Sequence, residues 1–80
     1  MSTLEKLGQI ILKFKKGKVA PEALKATANL VSDLDLDSID RTELLVLAED
    51  AFNLKISDAD AFKMKTLGDV AEYIDKKLSA

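Results

Sequence analysis

Residues 33–52 read Asp33-Leu34-Asp35-Leu36-Asp37-Ser38-Ile39-Asp40-Arg41-Thr42-Glu43-Leu44-Leu45-Val46-Leu47-Ala48-Glu49-Asp50-Ala51-Phe52, and the second half of this stretch decides the fold class. Leu44, Ala48 and Phe52 recur every four residues with Leu45 and Leu47 beside them, which is the stripe of a helix that buries one broad face. The spacing predicts a helix over residues 38–52, with Asn53 as its C-cap. Its entrance is acidic and follows a long connection.

Upstream of that connection, Leu4, Leu7, Ile11 and Phe14 recur at helical spacing with Ile10 widening the apolar face, while Lys6, Lys13 and Lys16 take other faces. Ser2 followed by Glu5 makes a capping-box pattern at the start of this first helix, and Gly17 supplies its stop. Residues 17–37 hold no sustained period, which is long for a structureless loop in a small domain. Pro21 ahead of Glu22, Ala23, Leu24, Lys25 and Ala26 predicts a single helical turn. Val19, Leu24, Leu30 and Leu34 are the residues to pin the connection onto a core, so an ordered loop is expected. Downstream, residues 57–62 read as one short helical turn opened by Ser57 and Asp58. Thr66 caps a last helix in which Leu67, Val70, Ile74 and Leu78 repeat, flanked by Ala71 and Tyr73. No segment alternates convincingly with period two. The expected fold is all-α: a small four-helix bundle of three main helices and one short helix, in a single domain over residues 1–80.

A chain of 80 residues, 48% hydrophobic and 32% charged, suits one folded core and argues against disorder. Cysteine and histidine are both absent from the sequence. That removes disulfides, thiolate metal sites and the usual general base near neutral pH, so an autonomous enzyme is not expected. Lysines interrupt the apolar residues near the N-terminus, leaving no h-region of a secretory signal, and no later run is long enough to span a bilayer. A cytoplasmic monomer without nucleic-acid partners is the expectation. The net charge of −2 hides an uneven distribution. Lys6, Lys13, Lys15, Lys16 and Lys18 meet only Glu5 at the front, whereas Asp33, Asp35, Asp37, Asp40, Glu43, Glu49 and Asp50 are opposed by Arg41 alone. The acidic stretch attracts basic partners.

Three readings compete for residues 33–40. Asp33, Asp35 and Asp37 occupy the first, third and fifth positions of a helix-loop-helix calcium loop, but the sixth is Ser38 instead of glycine and the twelfth is Leu44 instead of glutamate. In a second reading, Asp37 or Ser38 only caps the helix, and the other acids complement its dipole. In a third, Ser38 is a modified serine: a hydroxyl in the first turn of a helix is exposed, and a phosphodiester there lies near free amides and the positive dipole end. Without a histidine, another enzyme must activate that hydroxyl.

Asp33-Leu34 followed by Asp37-Ser38-Ile39-Asp40 resembles the acyl carrier protein signature Asp-Leu-Gly-x-Asp-Ser-Leu-Asp, with Ile39 in place of leucine. The likeness extends through Glu43-Leu44, Phe52, Ile56, Asp58, Ala61, Lys63, Thr66 and Tyr73-Ile74, nearly the whole chain. The resemblance implies that Ser38 is joined to 4'-phosphopantetheine by a phosphopantetheinyl transferase and that the arm's thiol carries acyl groups as thioesters. It also implies a recognition face for enzymes with basic patches, made by Asp37, Asp40, Glu43, Glu49 and Asp50 with Ile39 and Val46 between them. Leu44, Phe52, Ile56, Phe62, Leu67 and Ile74 become candidate walls of a cavity for the acyl chain. Asp35 stands where the family has glycine, and Leu36 and Arg41 are also departures, as are the apolar and basic Phe62, Lys63, Met64 and Lys65. These point towards a specialised lipid or polyketide carrier beside the fatty-acid one. Peptidyl and D-alanyl carriers lack the acid that Asp40 provides. The alternative from another class is an unmodified helical interaction domain with an acidic recognition helix.

Overall fold

The computed structural model describes residues 2–15 and 18–79. Four helices follow one another: α1 (Thr3–Phe14), α2 (Ser38–Phe52), α3 (Asp58–Lys63) and α4 (Leu67–Ser79), with a 3-10 turn at Pro21–Ala23 between the first two. The all-α expectation holds, as do the three long helices and the short fourth.

Each helix starts where a short polar side chain satisfies amides that lack intrahelical partners. Ser2 and Glu5 form the reciprocal capping box of α1, and Asp37 and Asp40 form a second one on α2. Ser57 Oγ accepts from the Asp60 amide at the head of α3. Thr66 Oγ1 accepts from the Asp69 amide while the Asp69 carboxylate accepts from those of Lys65 and Thr66. Asn53, in the left-handed region at φ 54°, ends α2 as expected. Helix α1 ends at Phe14 with Lys15 as its C-cap; Gly17, the predicted stop, lies outside the described residues.

Helix α1 packs against both α4 and α2, and the interior is built from Leu7, Ile11, Leu44, Ala48, Leu67, Val70 and Ile74. Thr3 Oγ1 donates to Asp75, tying the start of α1 to α4. The connection before α2 is ordered, as expected, and Val19, Leu30 and Leu34 are buried in the same core with Leu24 packed against it. Its backbone docks on the head of α4. Leu30 N–H donates to the Lys65 carbonyl, Leu67 N–H to Ala28 and Gly68 N–H to Ala26, at 2.9–3.0 Å. Asn29 and Thr66 form an isolated antiparallel bridge within this contact.

Period-two alternation, not expected anywhere in the chain, does occur in the approach to α2. Leu34 and Leu36 enter the core while Asp33, Asp35 and Asp37 stay exposed. Residues 31–34 form turns and no strand follows, so the alternation comes from the turn and not from an extended segment, and Leu36, a departure from the family signature, is a core residue with 1% exposure. Asp35 makes the turn in the left-handed region, φ 53°, a conformation that aspartate tolerates better than most residues with a Cβ.

Candidate functional site

The two buried leucines and the turn at Asp35 deliver the chain to the entrance of α2 at a fixed angle. Asp37 is the N-cap: its Oδ1 accepts from the Asp40 amide at 2.8 Å, and Asp40 Oδ2 accepts from the Asp37 amide at 3.3 Å. Ser38 is therefore the first helical residue and not the cap. Its side chain is exposed, and among the described residues its Oγ makes no hydrogen bond, although its carbonyl accepts from Thr42 Oγ1 at 2.9 Å. Capping accounts for Asp37 and leaves the serine hydroxyl unused. The calcium geometry does not form either. Asp33 accepts from the Asn29 amide at 2.7 Å while Asp37 caps α2, and among the described residues no three acids gather around a common point.

The predicted recognition acids divide by what they touch. Lys15, at the end of α1, reaches Asp40 Oδ2 at 2.9 Å, with side-chain exposures of 14% and 23%. The Lys15 ammonium beside Asp40 holds that carboxyl below the usual carboxylate range, and the same hydrogen bond raises the Lys15 pKa. Glu49 Oε2 accepts from the Ile56 amide at 2.7 Å and pins the α2–α3 link. Glu43 and Asp50 are exposed and make no ion pair among the described residues. Ile39, 78% exposed, and Val46, 52% exposed, stand out as apolar contacts on this surface.

A groove of about 450 Å³ runs between α2 and α3 with Ser38 at one end. Leu45 and Val46 line it from α2, and Ile56, Ala61 and Phe62 from the other side. The predicted cavity residues separate accordingly. Leu44, Leu67 and Ile74 have no exposure and close the core. Phe52 is half-buried beneath the Lys6 ammonium, 5.4 Å from the ring centroid. Ile56 and Phe62 do face the groove, Phe62 as its rim with 81% exposure. Sequence reasoning missed Leu45 and Arg41 as lining residues. The signal was present in the width of the apolar face, which exceeds what one buried stripe uses.

Helix α3 is held from behind by α4. Tyr73 Oη donates to Asp60 Oδ2 at 2.8 Å. This bond lowers the Asp60 pKa, and burial followed by the carboxylate's proximity raises that of Tyr73.

The geometry meets its relatives at this point. Residues 17–74 match the family described as the phosphopantetheine attachment site. The acyl carrier protein of Bdellovibrio bacteriovorus is 48% identical over 59 residues, covering 74% of this chain and 76% of that protein. That of Chlamydia muridarum is 41% identical over 59 residues, covering 74% and 77%. The solved structure of the acyl carrier protein from Enterococcus faecalis superposes with a TM-score of 0.72 at 30% identity, covering 95% of this chain and 98% of that one. The chain thus belongs to the phosphopantetheine-bearing acyl carrier family. The prosthetic group this membership implies is 4'-phosphopantetheine, and the reading as an unmodified interaction domain is not favoured.

Proposed function

We propose that Ser38 Oγ is the attachment atom of the arm and that the 80 residues act as one carrier unit, presenting acyl thioesters to enzymes of fatty-acid or specialised lipid or polyketide synthesis. One observation carries the assignment: the cap of α2 is made by Asp37, so the adjacent hydroxyl is exposed and unengaged.

The residues around Ser38 fit a phosphodiester. The Ser38 and Ile39 amides donate to no acceptor among the described residues, and at the positive end of a 15-residue helix they favour an anion. When bound, the arm supplies a thiol on which acyl groups are held as thioesters. The chain's own work is to position and to exclude. Asp37 and Asp40 hold the first turn through their reciprocal bonds, which fixes the backbone from which the Ser38 side chain projects. Neither carboxylate is available as a base for that hydroxyl, because Asp37 accepts an amide and Asp40 an ammonium. Loading is accordingly the work of a transferase, and the chain is a carrier and not an enzyme. The α2–α3 groove, and not the closed interior at Leu44, Leu67 and Ile74, is the space offered to an acyl chain.

Enzymes with basic patches are the partners we assign. Glu43 and Asp50 offer exposed charge, and Ile39 and Val46 offer apolar contacts between the acids. Complementary charge of this kind speeds encounter and rejects wrong partners more than it deepens affinity, which suits a monomeric shuttle in the cytoplasm. The test is intact mass after incubation with coenzyme A and a broad-specificity phosphopantetheinyl transferase. A mass gain abolished by Ser38→Ala is expected; an unchanged mass would overturn the reading.

A further inference from the structure

We propose that Arg41 is a positioning residue for the phosphate of the arm, and that it turns the arm's first segment into the α2–α3 groove. The proposal rests on Ser38 as the attachment atom. Arg41 lies three residues beyond Ser38, and residues at that spacing share a helix face. Both line the same groove. The side chain is half-buried, and with Phe62 it also borders the neighbouring depression beside Val31 and Lys65. Arg41 thus sits at the junction between the head of α2 and the rim of α3.

Its lack of a carboxylate partner is the second observation. Arg41 is the cation inside an acidic stretch, yet among the described residues it forms no ion pair. The acids within reach along the helix are occupied: Asp37 by the Asp40 amide and Asp40 by Lys15. Glu49, farther along the groove, is held by the Ile56 amide, and Asp58, which lines the groove from α3, forms no ion pair with Arg41. A half-buried arginine left without a counterion on the same groove as an exposed hydroxyl is matched by an anion on that hydroxyl. A phosphodiester has two unesterified oxygens, and the planar fork of arginine presents two parallel donors to such a pair, which a lysine ammonium cannot do.

The direction of the groove gives the contact its consequence. Ser38, Thr42, Leu45 and Glu49 follow one face of α2 from residue 38 to residue 49, about 16 Å at the helical rise. An arm anchored at its phosphate by Arg41 is aimed along Leu45 and Val46 towards Ile56. An arm without that anchor leaves Ser38 in any direction that solvent permits. Ser38, Arg41 and Thr42 make the groove polar at its anchored end, and Leu45, Val46, Ile56, Ala61 and Phe62 supply the apolar surface beyond, with Glu49 and Asp58 among them.

The experiment uses the loaded protein, its Arg41→Gln and Arg41→Lys variants, and nuclear magnetic resonance of the arm. Loading is scored first by mass. If the parent does not load, the carrier reading fails and this inference falls with it. In loaded parent protein, cross-peaks are expected between the arm's methylene protons and the side chains of Val46 and Phe62. Arg41→Gln should weaken them by about threefold, the occupancy that one half-exposed charge-assisted contact controls. Arg41→Lys should give an intermediate loss, and 0.5 M salt should weaken the parent's cross-peaks as the substitution does. The phosphorus resonance should shift between parent and Gln variant. Amide spectra of the unloaded proteins should coincide outside residues 38–45 and the neighbours of Arg41 around Val31, Phe62 and Lys65, so that a change in the arm is not a change in fold. Equal cross-peaks in loaded parent and loaded Gln variant would overturn the proposal. So would an arm that makes no contact with the groove in either, which would leave Arg41 a modulator of the acidic face alone.

Discussion

Two glycines inside helices should respond to the same substitution with opposite signs. At Gly8 a Cβ would meet Leu24 Cδ1 at 3.5 Å and Leu24 Cβ at 3.6 Å, which is ordinary contact. Alanine there gains helix propensity of about 1 kcal/mol, and in a domain of this size that raises Tm by about 4–8 °C. At Gly68 a Cβ would stand 2.8 Å from the Ala26 carbonyl oxygen, 3.1 Å from Ala26 Cβ and 3.3 Å from its carbonyl carbon. The obstacle is backbone, and it is held in place because the same carbonyl accepts from the Gly68 amide at 2.9 Å. Overpacking costs about 1–3 kcal/mol, and weakening that hydrogen bond adds about 1 kcal/mol. Set against the propensity gain, the net loss is about 1–3 kcal/mol, a fall in Tm of roughly 5–20 °C. Thermal unfolding followed by circular dichroism, on Gly8→Ala and Gly68→Ala side by side, measures both. If Gly68→Ala were as stabilising as Gly8→Ala, the close seating of residues 26–30 on α4 would be wrong. The account of how Leu30, Leu34 and Leu36 orient Ser38 would then go with it.

Tyr73→Phe should expose a two-sided pH window. Asp60 has a folded pKa below its ordinary value, so its bond stabilises above pH about 4 and is lost as pH falls through the folded pKa. Tyr73 has a raised one, so its share is fully present below pH about 10 and is lost as pH rises through the folded value. The Tm difference between parent and variant should be flat between those limits and narrow beyond both; a difference that does not narrow as pH falls below about 4 would contradict the bond. Lys15→Gln should speed loading by the basic transferase by roughly twofold to fivefold at 10 mM salt, because Asp40 regains its exposed charge. The advantage should vanish at 0.5 M salt, where screening is short-ranged; slower loading at low salt would show that Lys15 serves the site some other way.

The helices were legible because their signals are local. Ser2 with Glu5 and Asn53 as the stop of α2 act within four residues, and the apolar stripes name the core, whereas the choice of Asp37 over Ser38 as the cap of α2 appears only in the structure. The loop's order was legible in its leucines, but its partner was not, since Leu30 bonds to Lys65 across a separation that periodicity does not encode. The alternation of Leu34 and Leu36 is too short to stand out as a pattern, and only the packing reveals it. At the site, Ser38 stands out in the sequence through its place at a helix entrance and the signature Asp37-Ser38-Ile39-Asp40. The tie between Lys15 and Asp40 spans 25 residues and depends on α1 crossing the head of α2. Two of the acids expected to face partners, Asp40 and Glu49, also hold bonds within the molecule that the sequence does not announce.

The seam between residues 26–30 and residues 65–68 bears on the order of events at the ribosome. Translation delivers Ser38 well before Lys65, Leu67 and Gly68, the residues whose backbone anchors the strap leading to that serine. Chains are made from the N-terminal side, so a nascent chain shows the hydroxyl early but cannot yet hold it in its finished attitude. A modifying enzyme that reads the attitude as well as the serine would pass over unfinished chains, and costly coenzyme would be committed only to carriers already able to fold.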